Sequence, residues 1–291
     1  MALMLRAKSS IMGLALFPLA VALALAPLVP AQGEAPKAEA LPAARGIIDR
    51  FCQETGLAQK LAATESAYLK GKASIPSSGL QGSFERWAAK PDLSLVRIEL
   101  TGVGEILSGY DGKTAWSVHP MLGAQILKGA ELLQARSQGA YGASLRPSAD
   151  YESIETTARK PFAGEDCWEI RYVLAPLEDM DPDESRKYRT SYEYYAVESG
   201  RLLGMRTTSA TQMGAMDVVV KYSKYARLGE VLQATVVTQE AAGNQLIVTL
   251  EALEYDQVKR ERFALPAAIA AQLPAPTPPK PEDGDDGGGQ R

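Results

Sequence analysis

The sequence predicts a mainly β fold of the α+β class, and three observations carry that reading. After one opening helix, the apolar period drops from the helical value to two near Gly56. Turn formers then punctuate the chain about every ten residues, the spacing of a sandwich or barrel. Asp111-Gly112 stands between two alternating runs, and a tight hairpin needs the positive φ that this pair tolerates.

The opening helix rests on Ile47, Ile48, Phe51 and Cys52, an apolar stripe with Asp49, Arg50 and Glu54 on the other side. Residues 66–75, 80–88 and 93–100 follow as short strands, parted by Pro76-Ser77-Ser78-Gly79 and by Lys90-Pro91-Asp92. Strands 105–110 and 114–118 pair across Asp111-Gly112. The run 128–140 reads as a second helix, with a loop around Pro147 after it. Strands resume at 151–160, 166–174, 188–197, 201–211, 216–226, 230–239 and 245–255, separated by Gly164, Ser199-Gly200, Gly214, Gly229 and Gly243-Asn244. In the last of these, Leu246, Val248 and Leu250 oppose Gln245, Thr249 and Glu251, so one face is buried and the other mostly wet. A short helix after Arg262-Phe263-Ala264-Leu265-Pro266 closes the fold. About twelve strands in one ladder exceed a comfortable open twisted sheet, so the sheet should curl. Its concave face must then be filled by the chain's own helices or by a ligand.

The two ends read differently. Arg6 and Lys8, an uncharged run from Ile11 to Leu28 and the small-residue ending Val29-Pro30-Ala31 predict a secretory signal peptide over 1–31. Pro18 and Pro27 interrupt the run, which favours cleavage over a retained membrane anchor. No stable membrane insertion is expected after cleavage. Residues 32–44 are an Ala/Pro/Glu-rich lead-in, and 274–291, half of it Pro or Gly, reads as a disordered acidic tail. A single folded domain is left over 45–273.

The 291 residues are 46% apolar and 23% charged, as in an ordinary globular chain. With 31 Lys and Arg against 35 Asp and Glu, a nucleic-acid partner is not expected. One histidine and two cysteines are too few for a zinc, haem or iron–sulfur site, so no metal and no cofactor are expected. His119 lies at a strand end in Val118-His119-Pro120, and the chain has no G-x-S-x-G, C-x-x-C or H-E-x-x-H motif. It reads as a structural or surface residue; no catalytic residue and no enzyme activity are expected. Glu178, Asp179, Asp181, Asp183 and Glu184 lack the glycine and closing glutamate of a calcium loop and read as a solvated loop. Lys187 and Arg189 alternate with Tyr188, Tyr192, Tyr194 and Tyr195, which fits cross-strand aromatic packing better than base stacking. Export would put Cys52 and Cys167 in an oxidising compartment, where a bond between them would be worth about 4 to 5 kcal/mol. Against it, Cys52 shares a helix stripe with Ile48 and Phe51, whereas Cys167 shares a strand face with Glu169 and Arg171. Both outcomes stay open.

Several stretches taken together carry a resemblance. They are the opening helix from Ala44 to Phe51, Lys70-Gly71-Lys72-Ala73-Ser74-Ile75-Pro76, Gly109-Tyr110-Asp111-Gly112-Lys113-Thr114-Ala115-Trp116 and Ile126-Leu127-Lys128-Gly129-Ala130-Glu131-Leu132. Asp166-Cys167-Trp168-Glu169-Ile170, Glu198-Ser199-Gly200-Arg201-Leu202 and Arg262-Phe263-Ala264-Leu265-Pro266 complete the set. Over residues 45–270 the chain resembles exported outer-membrane lipoprotein-sorting-like proteins, with the LolA/LolB-like fold of the periplasmic lipoprotein carrier. The resemblance implies a curled antiparallel half-barrel of about eleven strands, with helices lining a concave apolar face that accepts acyl chains.

The expected function is accordingly a non-enzymatic carrier or binder of lipid, lipoprotein or another apolar ligand in the periplasm or cell envelope. The alternative is a structural or protein-interaction module of an envelope assembly, its concave face plugged by the helices at 45–56 and 128–140. Candidate cavity residues are Trp87, Val96, Ile98, Trp116, Val118, Trp168, Met205, Val218, Val220, Leu246 and Val248.

Overall fold

The computed structural model describes residues 40–211 and 214–274. The expected signal peptide, most of the lead-in and the tail beyond Pro274 lie outside the described residues. Two helices open the chain, α1 (Ala44–Thr55) and α2 (Leu57–Ala63). The α1 stripe forms as its spacing predicts, and Gly56 ends the helix in the left-handed region at φ 72°, donating to the Gln53 carbonyl. Gly56 also starts α2, whose seven residues offer only Leu57 and Leu61 as an apolar stripe.

Six strands follow: β1 (Ser66–Ile75), β2 (Leu80–Ala89), β3 (Leu93–Leu100), β4 (Gly104–Tyr110), β5 (Ala115–His119) and β6 (Gly123–Leu127). After α3 (Gly129–Gly139) come β7 (Tyr151–Phe162) and β8 (Glu165–Leu174), then the short α4 (Arg186–Arg189) and β9 (Thr190–Ala196). Then come β10 (Leu202–Thr211), β11 (Gly214–Leu228), β12 (Val231–Ala241), β13 (Asn244–Tyr255) and α5 (Ala267–Ala270). The thirteen strands among the described residues form one antiparallel sheet in the order β6-β5-β4-β3-β2-β1-β13-β12-β11-β10-β9-β8-β7. Asp111-Gly112 turns β4 into β5, but in a four-residue loop in which Gly112 alone of the pair takes positive φ, with Asp111 Oδ1 accepting from the amides of Lys113 and Thr114. The thirteenth strand is β6, an edge strand too short to show alternation.

The sheet curls, and α3 is the measure of it. A helix of eleven residues is about 16 Å long. It touches β4 and β5 towards one end of the strand order and β10 towards the other. Laid flat, β4 and β10 are seven strand spacings apart, about 33 Å. The sheet must therefore wrap around α3, which makes the helix-bearing face concave. At the centre of the sheet β1 and β13 approach closely beside a bulge at Lys70/Gly71, where a Cβ on Gly71 would lie 2.1 Å from the Thr249 carbonyl oxygen.

Clusters of buried side chains secure the two faces. Inside, Ile47, Ile48, Phe51 and Cys52 of α1 pack on Ile170, Tyr172 and Tyr195, with Phe51 edge-on to Tyr195 at 5.7 Å. Leu61 of α2 joins Ala67, Ala88, Val231 and Leu253. Outside, the segment after β13 folds back so that Phe263 and Ile269 cover Trp87, Leu93, Leu95 and Trp116. Fully burying Ile48 or Ile269 contributes about 1.5 to 3 kcal/mol each.

Candidate ligand-binding face

Residues paired in register point to the same side of a sheet, so the concave face can be read off the ladder. One row runs Ile106–Ile98–Phe84–Gly71–Leu250 across β4, β3, β2, β1 and β13. A second runs Tyr222–Val237–Val248–Ala73–Gly82–Leu100, and a third Met205–Val220–Gln239–Leu246. Seven of the expected cavity residues share this face: Val96, Ile98, Met205, Val218, Val220, Leu246 and Val248. Val218, Val220 and Val248 are buried, while Val96, Ile98, Met205 and Leu246 are half-buried. Small residues at Gly71, Ala73 and Gly82 keep the centre of the face shallow. Trp168 points to the same side but packs against the α1 cluster, beneath the Arg159 guanidinium 5.4 Å from its ring.

Helix α3 spans this face and is fixed at both sides. Gln134 donates from Nε2 to the carbonyls of Tyr188 and Thr208, each at 2.8 Å, and its Oε1 accepts from the Ala210 amide. Opposite, Arg86 of β2 donates to the Gln138 carbonyl at 3.1 Å, and Gly139 sits so close to Ser94 that a Cβ there would clash. Burial lowers the Arg86 pKa from the usual guanidinium range, with the Tyr222 phenol a smaller opposing influence.

At the β7–β9 end the face is polar underneath. Glu193 is almost fully buried and pairs with Arg146, which follows α3, while Tyr195 donates to its other oxygen at 2.6 Å and Tyr172 contacts Tyr195 at 3.2 Å. Burial alone would lower the Arg146 pKa, but the Glu193 carboxylate more than offsets it and the net shift is upward. This network ties the loop at 143–150 to the sheet. Nothing in the sequence pattern singles it out, because Arg146 and Glu193 lie 47 positions apart.

Three expected cavity residues are placed elsewhere. Trp87, Trp116 and Val118 lie on the outer face, where the C-terminal segment covers them. The alternation of β5 puts Trp116 and Val118 together, as its sequence suggests, but register assigns that pair to the side away from α1, α2 and α3. The Trp116 indole lies over Gly109, and its buried Nε1 has no hydrogen-bond partner among the described residues. Beside it a cavity of about 340 Å³ is lined by Glu85, Arg97, Trp87 and Arg262. Burial, then a hydrogen bond to Glu85, pushes the Tyr68 phenol up to about 12.

The cysteine question resolves against a bond. Cys52 lies in the inner α1 cluster and Cys167 in an outer one with Phe162, Tyr194, Ala196 and Leu203, and no disulfide joins them. Burial pushes the Cys167 thiol up to about 11. His119 accepts the Met121 amide at Nδ1 at a surface turn. Asp181 caps its own loop by accepting from the amides of Asp183 and Glu184, and no metal-binding cluster of His, Cys, Asp and Glu occurs among the described residues. Arg189, expected to alternate with the tyrosines along a strand, lies instead at the end of α4, where it is buried and donates to Glu152, Leu174 and Pro182. No helix among the described residues is long and apolar enough to cross a membrane.

No family model and no curated protein matches the sequence. Solved structures do match the fold. A DUF1329 family protein from Desulfovibrio piger aligns with 76% of this chain and 95% of its own at 13% identity, with a TM-score of 0.50. A LolA superfamily protein from Nitrosomonas europaea aligns with 77% of this chain and 99% of its own at 14% identity and a TM-score of 0.49. The open, curled sheet with helices on its concave face is the half-barrel that the sequence resemblance implied, with thirteen strands in place of eleven.

Proposed function

We propose that the protein is a non-enzymatic, exported binder or carrier of an apolar ligand, with acyl chains of lipid or lipoprotein as the ligand class. One observation carries the reading: apolar side chains from strands far apart in sequence converge on one concave face and stay only half-buried at Val96, Ile98, Met205 and Leu246. A closed dry core would cover them fully. Helix α3 is held over this face by side-chain bonds at its two sides. The helices suggest a second reading, a self-filled face in a protein-interaction module of the envelope, because α1 and α2 already cover part of the same surface.

Calorimetric titration of the mature protein with a long-chain fatty acid separates the two. Binding with a negative heat-capacity change supports the carrier, since apolar surface leaves water. Leu246→Asp should weaken it at least tenfold, because a carboxylate in an apolar site must be desolvated or neutralised. Absence of binding at micromolar concentrations favours the module.

A further inference from the structure

The outer face of β8–β11 carries a different kind of surface. Register places Arg171, Tyr192 and Arg206 side by side on β8, β9 and β10. At one strand spacing apiece, the backbones of the two arginines flank that of the tyrosine about 10 Å apart. Tyr194 lies on the same face, stacked on Phe162 at 4.1 Å, and Lys160 of β7 and the α4 residues Arg186 and Lys187 complete the surround. Together they line a groove of about 840 Å³.

Its charge runs against that of the chain. Five cations and two carboxylates, Glu169 and Asp217, face the groove, although the sequence as a whole has more acidic than basic side chains. Lys160 is answered by Glu169, Arg171 by Glu155 and Arg186 by Glu152. Arg206 and Lys187 have no carboxylate partner among the described residues; Arg206 stands 5.8 Å from the Tyr194 ring centre and Lys187 4.8 Å from that of Tyr188. In the same row the buried Nε–H of Arg171 has no acceptor among the described residues. A buried donor left unmade is costly, and a ligand oxygen would satisfy it.

We propose that this outer groove binds a phosphate-bearing ligand, with the unmatched Arg206 and Lys187 as its anchors and the Arg171 guanidinium beside them. Guanidinium forks suit tetrahedral oxyanions. A phosphate monoester carries about −1.5 to −2 charge, which answers both unmatched cations where one carboxylate answers one. The phosphate can belong to a soluble ester or to a lipid headgroup. The site lies on the opposite side of the sheet from the acyl-binding face and does not depend on it.

The test uses the full chain and the Arg206→Ser/Lys187→Ser double variant, whose altered side chains are exposed. Glycerol 3-phosphate is titrated by calorimetry, and vesicles containing phosphatidic acid, whose headgroup is a phosphate monoester, are compared with pure phosphatidylcholine vesicles by flotation. The wild type is expected to bind at least one probe, the double variant at least tenfold more weakly with an unchanged circular dichroism spectrum, and added salt to weaken both. Binding of glycerol 3-phosphate assigns a soluble ester; binding of anionic vesicles alone assigns a headgroup. The proposal fails if neither probe binds, if the double variant binds equally well, or if an oligoglutamate peptide binds the same residues as tightly as either probe. Fatty-acid binding by the double variant stays at the wild-type level, so failure here leaves the concave-face reading intact.

Discussion

Arg86 of β2 donates to the main-chain carbonyl of Gln138, in the last turn of α3, at 3.1 Å. That carbonyl lies at the negative end of the helix dipole, so the guanidinium serves both as donor and as counter-charge. No carboxylate pairs with Arg86 among the described residues, and burial lowers its pKa. The contact therefore holds α3 locally while desolvation of a half-buried charge costs the fold energy. Arg86→Met should leave global stability within about 1 kcal/mol, because loss of the bond and relief of desolvation oppose each other. Amide exchange across α3 should rise about tenfold; unchanged exchange there would show that Gln134 and packing hold the helix without Arg86.

Glu193 is the acid that keeps Arg146 compensated beneath the concave face. Glu193→Gln leaves a buried guanidinium without its counter-charge and should cost about 3 to 5 kcal/mol in urea unfolding. Replacing both partners, with Arg146→Met and Glu193→Leu, should recover much of that loss. A single variant as stable as the wild type would mean that water already screens the pair.

Glu169 gives a pH signature. Burial pushes its carboxyl up, but hydrogen bonds from Lys160, Thr157 and Tyr194 outweigh that and hold it below the ordinary 4.5. A carboxyl whose folded pKa is depressed contributes stability above its unfolded value and loses it as pH falls through the folded one. Glu169→Gln should thus be less stable than the wild type by about 2 kcal/mol at pH 7, a difference that shrinks below pH 4. Chemical denaturation at pH 7 and pH 3 measures this, and a gap that is constant with pH would remove the ionic explanation.

The C-terminal segment is structural on the outer face. Phe263 is 4% exposed against Trp87 and Trp116, so Phe263→Ala should cost about 3 to 5 kcal/mol. Gly109→Ala should cost about 1 to 3 kcal/mol, since its Cβ would meet the Trp116 ring at 2.7 Å. Thermal melts decide both; neutral values would show that the segment and the indole reposition freely.

The sheet was legible in the sequence because its signals are local: alternation, Asp111-Gly112 and glycines at the turns. Strand β6 escaped since five residues at an edge need no alternation, and α2 since seven residues show hardly two turns. Facing was harder to read than existence. Alternation pairs Trp116 with Val118 correctly, but which side is concave depends on register across several strands and on where α3 lands. The Arg146–Glu193 pair and the Arg171–Tyr192–Arg206 row unite residues that only the folded sheet brings together.

Photo-crosslinking tests the concave-face account most directly. A fatty acid bearing a diazirine at its chain end is bound, irradiated and mapped by peptide mass spectrometry. The account predicts adducts on the inward residues of β3, β10 and β13, among them Ile98, Met205 and Leu246, and their loss on competition with unlabelled fatty acid. Adducts confined to the outer face around Trp87 and Trp116, or none above the level of denatured protein, would contradict it.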